Sequence, residues 1–458
     1  MLPRVAELEA LGEEVRREGF AAVVLLGMGG SSLAPEVIQR VFGPREGRPA
    51  LTVLDTTHPD AIAEAEARLD LSRTLFVVSS KSGTTIETAA LSAYFWERAG
   101  TKSGSFVAIT DPGTPLEAVA RERAFRRVLL GDPEIGGRFS ALSVFGMVPA
   151  ALVGADVGGM LSSAHRMAGR CGTGAATENP GAGLGAVLAE AFQAGRDKLF
   201  PAAGGALGAI GVWIEQLVAE STGKDGKGIV PVVDEPAGGR AFALPDVLPV
   251  WIEGESPADL GAEFYRWEFG TALAGAWMGV NPFDQPNVAE SKANTERLLV
   301  ELSSGSPPAA PGLDSLERAL GGWFESVRPR DYVAVLCYMR PDSARGHWLQ
   351  RVRRAVGAAR GVVTTAACGP RFLHSTGQLH KGGGGGGAFL QVETEPEGDL
   401  PVPGAGYSFG RLHLAQALGD HRALLARGRR VLRVRVRERE LDELARLVER
   451  ASGVRRGP

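Results

Sequence analysis

TLFVVSSKSGTTIET (residues 74–88) begins as an apolar, β-prone run and ends as the opening of a helix, with a polar loop between them. Thr74–Ser79 has the composition of a strand buried on both faces, and the helix pattern starts about Ile86. A buried strand that feeds directly into a helix is half of a βαβ unit, so its sheet should be mostly parallel and covered on both faces. The same alternation extends in both directions. Apolar runs at 21–26, 51–55 and 106–110 read as strands, and helix-like stretches at 35–42, 59–69 and 87–99 lie between them.

Further along, the Gly-rich stretch 169–183 reads as a linker or a domain crossing, after which βα character returns. A long apolar helix is expected at 205–219, and strands at 331–339, 361–366 and 388–392, the last after the six glycines 382–387. The basic tail contains RVLRVRV (430–436), which alternates as an edge strand does, and then a helix at 438–450. The fold class expected is α/β, with two α-β-α sandwich domains of mostly parallel sheet over 1–168 and 184–400. A C-terminal extension of helix and strand, 401–458, follows them.

Bulk properties exclude several function classes. The chain has 458 residues, 44% apolar and 22% charged, an ordinary globular balance, and its net charge of −3 provides no field for nucleic acid or an anionic membrane. No apolar run approaches the roughly 18 residues a membrane helix needs, and the N-terminus has no signal-peptide pattern, so a cytoplasmic location is expected. Cys171, Cys337 and Cys368 are too sparse for a disulfide framework or a CxxC metal set and read as core thiols.

Six segments carry chemistry. In the loop 79–85, five of seven residues bear hydroxyls, beside one glycine and one lysine, at the start of a helix. Hydroxyls and amides at a helix N-terminus satisfy the acceptors of a phosphate monoester, and no Walker pattern is present. Gly27-Met28-Gly29-Gly30-Ser31-Ser32 follows the first strand and would also cradle an anion; a dinucleotide fold is disfavoured because Ser32 stands where GxGxxG needs its third glycine. Gly136-Gly137-Arg138 could turn a permanent cation into a site. Glu220, before Ser221-Thr222-Gly223-Lys224, ends an apolar helix and could act as a carboxylate base. Asn281-Pro282-Phe283-Asp284-Gln285 leads to Lys292, and His374-Ser375-Thr376-Gly377-Gln378-Leu379-His380-Lys381 is poor core material.

Taken together, GMGGSS, SSKSGTT, GGRFS, ESTGK, NPFDQ with its downstream lysine, and HSTGQLHKGG resemble the signature segments of the glucose-6-phosphate isomerase family, built from sugar isomerase (SIS) domains. The resemblance implies that Gly29, Gly30 and Ser31 lie beside the sugar phosphate and that Ser80, Ser82, Thr84 and Thr85 hold it, with Lys81 near the sugar. It implies Glu220 as the base moving a proton between C2 and C1, and Arg138 as the stabiliser of a cis-enediolate. His374 and Lys292 would assist ring opening, and Gln378 matches a site glutamine. The histidine of this family comes from the neighbouring subunit, which implies a homodimer. No metal or redox cofactor is implied, and the partner is a small phosphosugar, with no nucleic acid and no membrane.

The order of segments departs from the family's, because the histidine segment follows Lys292 instead of preceding NPFDQ. That order is similar to the isomerase half of transaldolase–isomerase fusion proteins, although the chain has no room for a barrel of roughly 250 residues beside two SIS domains. The expected activity is interconversion of glucose 6-phosphate and fructose 6-phosphate. Alternatives are an isomerase of another phosphosugar such as mannose 6-phosphate, a phosphosugar-binding regulator without catalysis, and a nicotinamide-dependent dehydrogenase.

Overall fold

Buried strands alternating with helices do produce parallel sheets, and there are three of them among the described residues. The computed structural model describes residues 1–174, 177–235, 239–304, 310 and 313–453. The first sheet contains β1 (Ala22–Gly27), β2 (Ala50–Leu54), β3 (Thr74–Ser79), β4 (Phe106–Thr110) and β5 (Arg127–Leu130), in the order β2-β1-β3-β4-β5. Every pairing in it is parallel. Four of these strands fall within a residue of the expected positions; the short β5, headed by an arginine, was not expected.

The strand order places a crevice at the carboxyl ends of β1 and β3. The helix after β1, Leu33–Phe42, buries Val37 and Ile38 on one face of the sheet. The helix after β3, Ile86–Arg98, buries Leu91 and Phe95 on the other face, against Phe76 and Phe106. Loops that diverge to opposite faces from adjacent strands leave a cleft between them, the usual ligand position in such sheets.

A three-stranded sheet, β6 (Lys198–Ala203), β7 (Val230–Pro231) and β8 (Val247–Ile252), has the order β7-β6-β8. A four-stranded sheet, β9 (Tyr332–Tyr338), β10 (Val363–Cys368), β11 (Gly387–Glu395) and β12 (Arg430–Arg437), has the order β10-β9-β11-β12. Along β9 the faces alternate: Val333, Val335 and Cys337 enter one core, whereas Tyr332, Ala334, Leu336 and Tyr338 enter the other.

Two expectations change. The stretch 169–183 is helical at both ends, because the helix Val157–Cys171 runs into it and the helix Pro180–Gln193 starts in it, capped by Asn179. A glycine further along the second helix serves close packing: a Cβ on Gly185 would lie 2.8 Å from the Gly270 carbonyl oxygen in the helix Leu260–Met278. The C-terminal segment does not stand apart either, since β12 pairs with β11 along its whole length as the edge strand of the four-stranded sheet. Its Arg433 is buried against Glu393 in a two-pronged ion pair with bonds of 2.6 and 2.8 Å. Among the described residues no helix is long and apolar enough to cross a membrane.

Candidate active site

The loops at the carboxyl ends of β1 and β3 start side by side, because Gly27 and Ser79 are register partners. Past β3, Ser80 is buried and donates to the Thr85 hydroxyl at 3.0 Å, while Ser82 and Thr84 have their hydroxyls 3.0 Å apart on the exposed side of the loop. Gly83 adopts φ +64°, which allows the loop to turn back on itself. Thr85 caps the helix Ile86–Arg98 by position, yet its side chain makes no capping hydrogen bond. Uncapped amides among hydroxyls at a 13-residue helix N-terminus have the chemistry to hold an anion. Lys81 turns aside from it, bonded to Asp111 at 2.5 Å and to the Asp132 carbonyl at 2.8 Å.

From this loop a continuous path of contacts leads to the carboxylate. Glu87, in the first turn of the same helix, is buried and accepts from Gln416 at 2.6 Å. His374 Nε2 lies 2.9 Å from Glu87 Oε1. The Gln216 amide then bridges two groups, donating to the His374 carbonyl at 2.8 Å and to Glu220 Oε2 at 3.1 Å. Gln216 and Glu220 are one helical turn apart on Gly211–Thr222, so their side chains share a face. Gly29 packs on this junction, where a Cβ would fall 2.7 Å from the His374 carbonyl oxygen and 2.9 Å from the Gln216 amide nitrogen. Gly30 packs equally tightly on the Gly137 carbonyl, and Ser31 is buried beside them.

Glu220 lies in the last turn of its helix, as expected, but it is buried and not presented at an exposed end. Arg138 Nη1 stands 3.8 Å from its Oε2. The guanidinium is fixed by Ser221 at 2.8 Å, Gln285 at 2.8 Å and the Pro282 and Asp284 carbonyls. Burial pushes the Glu220 carboxyl above its ordinary value, while Arg138, the Gln216 hydrogen bond, His374 and Lys224 pull it back. Lys224 is itself buried, with its ammonium on Asp284 and the Asn281 carbonyl; burial lowers its pKa and Asp284 opposes that. A carboxylate poised above its usual range next to a fixed guanidinium can accept a proton from carbon and face the negative charge that results.

The other expected residues occupy more distant positions. Gln378 is buried, and its amide is used by the Gly223 carbonyl at 2.9 Å, Asn287 Oδ1 at 2.8 Å and the Asn287 amide at 3.0 Å. The glutamine beside Arg138 is instead Gln285. Lys292 is on the helix Pro286–Ser304, and its side chain lies outside the described residues. The sequence gives no direct sign of Glu87 or Gln216 as site residues, whereas Gln285 closes the NPFDQ segment already singled out. The four-residue spacing of Gln216 and Glu220 was the available signal for one of them. The thiols are poor nucleophiles: burial pushes Cys337 well up and Cys368 to about 11.

An anion cradle at a parallel-sheet switch point, with a buried carboxylate, a guanidinium and a histidine beside it, defines a phosphosugar isomerase of the SIS type. The family model described as phosphoglucose isomerase matches residues 13–242, which include the segments of Arg138 and Glu220 but not that of His374. The glucose-6-phosphate isomerase of Rubrobacter xylanophilus is 34% identical over 377 residues, covering 64% of this chain and 87% of that one. The enzyme of the same name from Carboxydothermus hydrogenoformans is 32% identical over 237 residues, 48% of this chain and 50% of the other. A crystal structure of a glucose-6-phosphate isomerase from Chlamydia trachomatis shares the fold, with a TM-score of 0.56 and 21% identity over 69% of this chain and 76% of that one. The chain belongs to the phosphoglucose isomerase family.

Proposed function

We propose that the chain interconverts glucose 6-phosphate and fructose 6-phosphate through ring opening and a cis-enediolate. The observation that carries this reading is the buried Glu220 carboxylate, linked by Gln216 to the backbone of His374 and faced by Arg138 at 3.8 Å. The phosphate sits among Ser80, Ser82, Thr84, Thr85 and the backbone of Gly29, Gly30 and Ser31, which orients the sugar from the end remote from the reacting carbons. Held by Glu87, His374 exchanges the ring-opening proton with the ring oxygen, assisted by Lys292. Glu220 then takes the proton from C2 of the open aldose and returns it to C1, while the O2 hydroxyl proton passes to O1. The electron pair moves onto the carbonyl oxygen and gives an enediolate, whose charge Arg138 opposes. Gln378 acts from behind the site by tying its helix to Gly223.

A coupled assay with glucose-6-phosphate dehydrogenase tests the reading: purified protein should convert fructose 6-phosphate, and the product should reduce the nicotinamide cofactor. Retained phosphosugar binding without turnover on fructose 6-phosphate or mannose 6-phosphate would make the chain a binding protein.

A further inference from the structure

Glu215 stands one residue before Gln216 on the base helix Gly211–Thr222, so it projects about 100° round from the face that Gln216 shares with Glu220. It shares its own face with Val212, and both line a cavity of about 540 Å³. The other walls are the helix Leu33–Phe42, the carboxyl ends of β2 and β10, and Asp234 beyond β7. The hydroxyl loop, Arg138 and Glu220 are not among them, so this cavity is distinct from the candidate active site.

Glu215 is 9% exposed, and no group among the described residues hydrogen-bonds to its carboxyl. The charged groups that act on it are Asp234, Arg371 and Arg353, and both guanidinium groups are committed elsewhere. Arg371 pairs with Glu36 and lies 3.4 Å from Asp55, while Arg353 donates to Glu235 at 3.2 Å. A buried carboxyl without a donor is costly in its ionised form, and burial pushes this one up to about 8.

A second cavity, of about 510 Å³, adjoins the first and shares Arg40, Val212, Val233 and Asp234 with it. Arg40 lies 3.4 Å from Glu36. This cavity covers the carboxyl ends of β6 and β8, where Phe200 and Trp251 give an apolar wall and Glu235 and Glu253 add carboxylates. Trp251 is 59% exposed. Carboxyls with too few donors, beside apolar wall, suit a ligand that brings several cations on an aliphatic chain. An ammonium also gains from the face of an exposed tryptophan.

We propose that the two adjoining cavities bind an aliphatic polyamine, with one ammonium on Glu215 and Asp234 and another on Glu253 beside Trp251. This site is independent of the sugar reaction.

Isothermal titration calorimetry of the full chain with spermidine tests the proposal. The wild type should bind at a single saturable site, and Glu215→Gln should weaken binding about tenfold or more. Asp234→Asn, outside any helix or strand, should also weaken it and keeps the test decisive if the first variant fails to fold. Glu215 must ionise to hold the ammonium, so binding at pH 7 should release close to one proton, read from the dependence of the heat on buffer ionisation enthalpy. Glu215→Gln should lose that release. Triethylene glycol, a neutral flexible chain, should not bind. Absence of spermidine binding, unchanged affinity in both variants, binding without proton release, or equal binding of the neutral chain would overturn the proposal.

Discussion

Glu220 lies in the last turn of its helix, buried beside Arg138. Burial raises its pKa and the adjacent guanidinium opposes the rise. A base is active when deprotonated, so activity falls as pH drops through a raised pKa. The acid limb of kcat should therefore lie above pH 4.5, the ordinary value for this group, in a pH–rate profile. Arg138 is held by four separate acceptors, a planar arrangement a lysine cannot match. Arg138→Lys is expected to lower kcat about a hundredfold with little change in phosphosugar affinity measured by calorimetry. At this scale the segments that carry Glu220, Arg138 and His374 were legible because their local composition is distinctive. Glu87 was concealed, because its relevance arises only from contacts with residues more than a hundred positions away.

At the scale of elements, legibility followed the physics of each segment. β1, β3 and β4 are unbroken apolar runs buried on both faces and were readable with no knowledge of their neighbours. β6 and β8 were not, because Pro201 and Pro249 interrupt them and Lys198 opens the first. β7 reaches only Lys198 and Leu199, so one edge of β6 is open beyond them, and an open edge tolerates proline. The glycines of 169–183 misled for a related reason: local propensity counts each against a helix by about 1 kcal/mol, and tertiary packing outweighs that. Two glycines of the helix Pro180–Gln193 separate the effects. Gly183 has nothing near its missing Cβ, so Gly183→Ala should stabilise by about 0.5–1 kcal/mol in urea unfolding. Gly185→Ala meets the Gly270 carbonyl and Leu273 and should destabilise by about 1–3 kcal/mol.

Over the whole molecule, a group of charges from separate segments lines one cavity, and no single segment announces it. Glu215, next to Gln216 on the base helix, faces a cavity of about 540 Å³ that Asp55, Asp234 and Arg371 also line. Burial, with a smaller contribution from Asp234, pushes its carboxyl to about 8 from an ordinary 4.5. A carboxyl whose folded pKa is raised stays protonated in the folded chain while the unfolded chain ionises. Its stability contribution is therefore complete below pH 4.5 and lost progressively up to about pH 8. That loss approaches about 1.4 kcal/mol per pH unit from this one group. Glu215→Gln, which cannot ionise, should flatten the slope, so its stability relative to wild type should rise between about pH 5.5 and 7.5 in denaturant titrations.

In the proposed reaction Glu220 moves a proton between adjacent carbons of a bound phosphosugar. Proton NMR of glucose 6-phosphate incubated with the protein in deuterium oxide tests it most directly, because a base that exchanges with solvent between abstraction and return leaves deuterium on the sugar. The wild type should wash deuterium into C2 as fructose 6-phosphate appears, and Glu220→Gln should do neither while still binding the sugar phosphate. Exchange or isomerisation by Glu220→Gln at the wild-type rate would take the proton transfer away from Glu220.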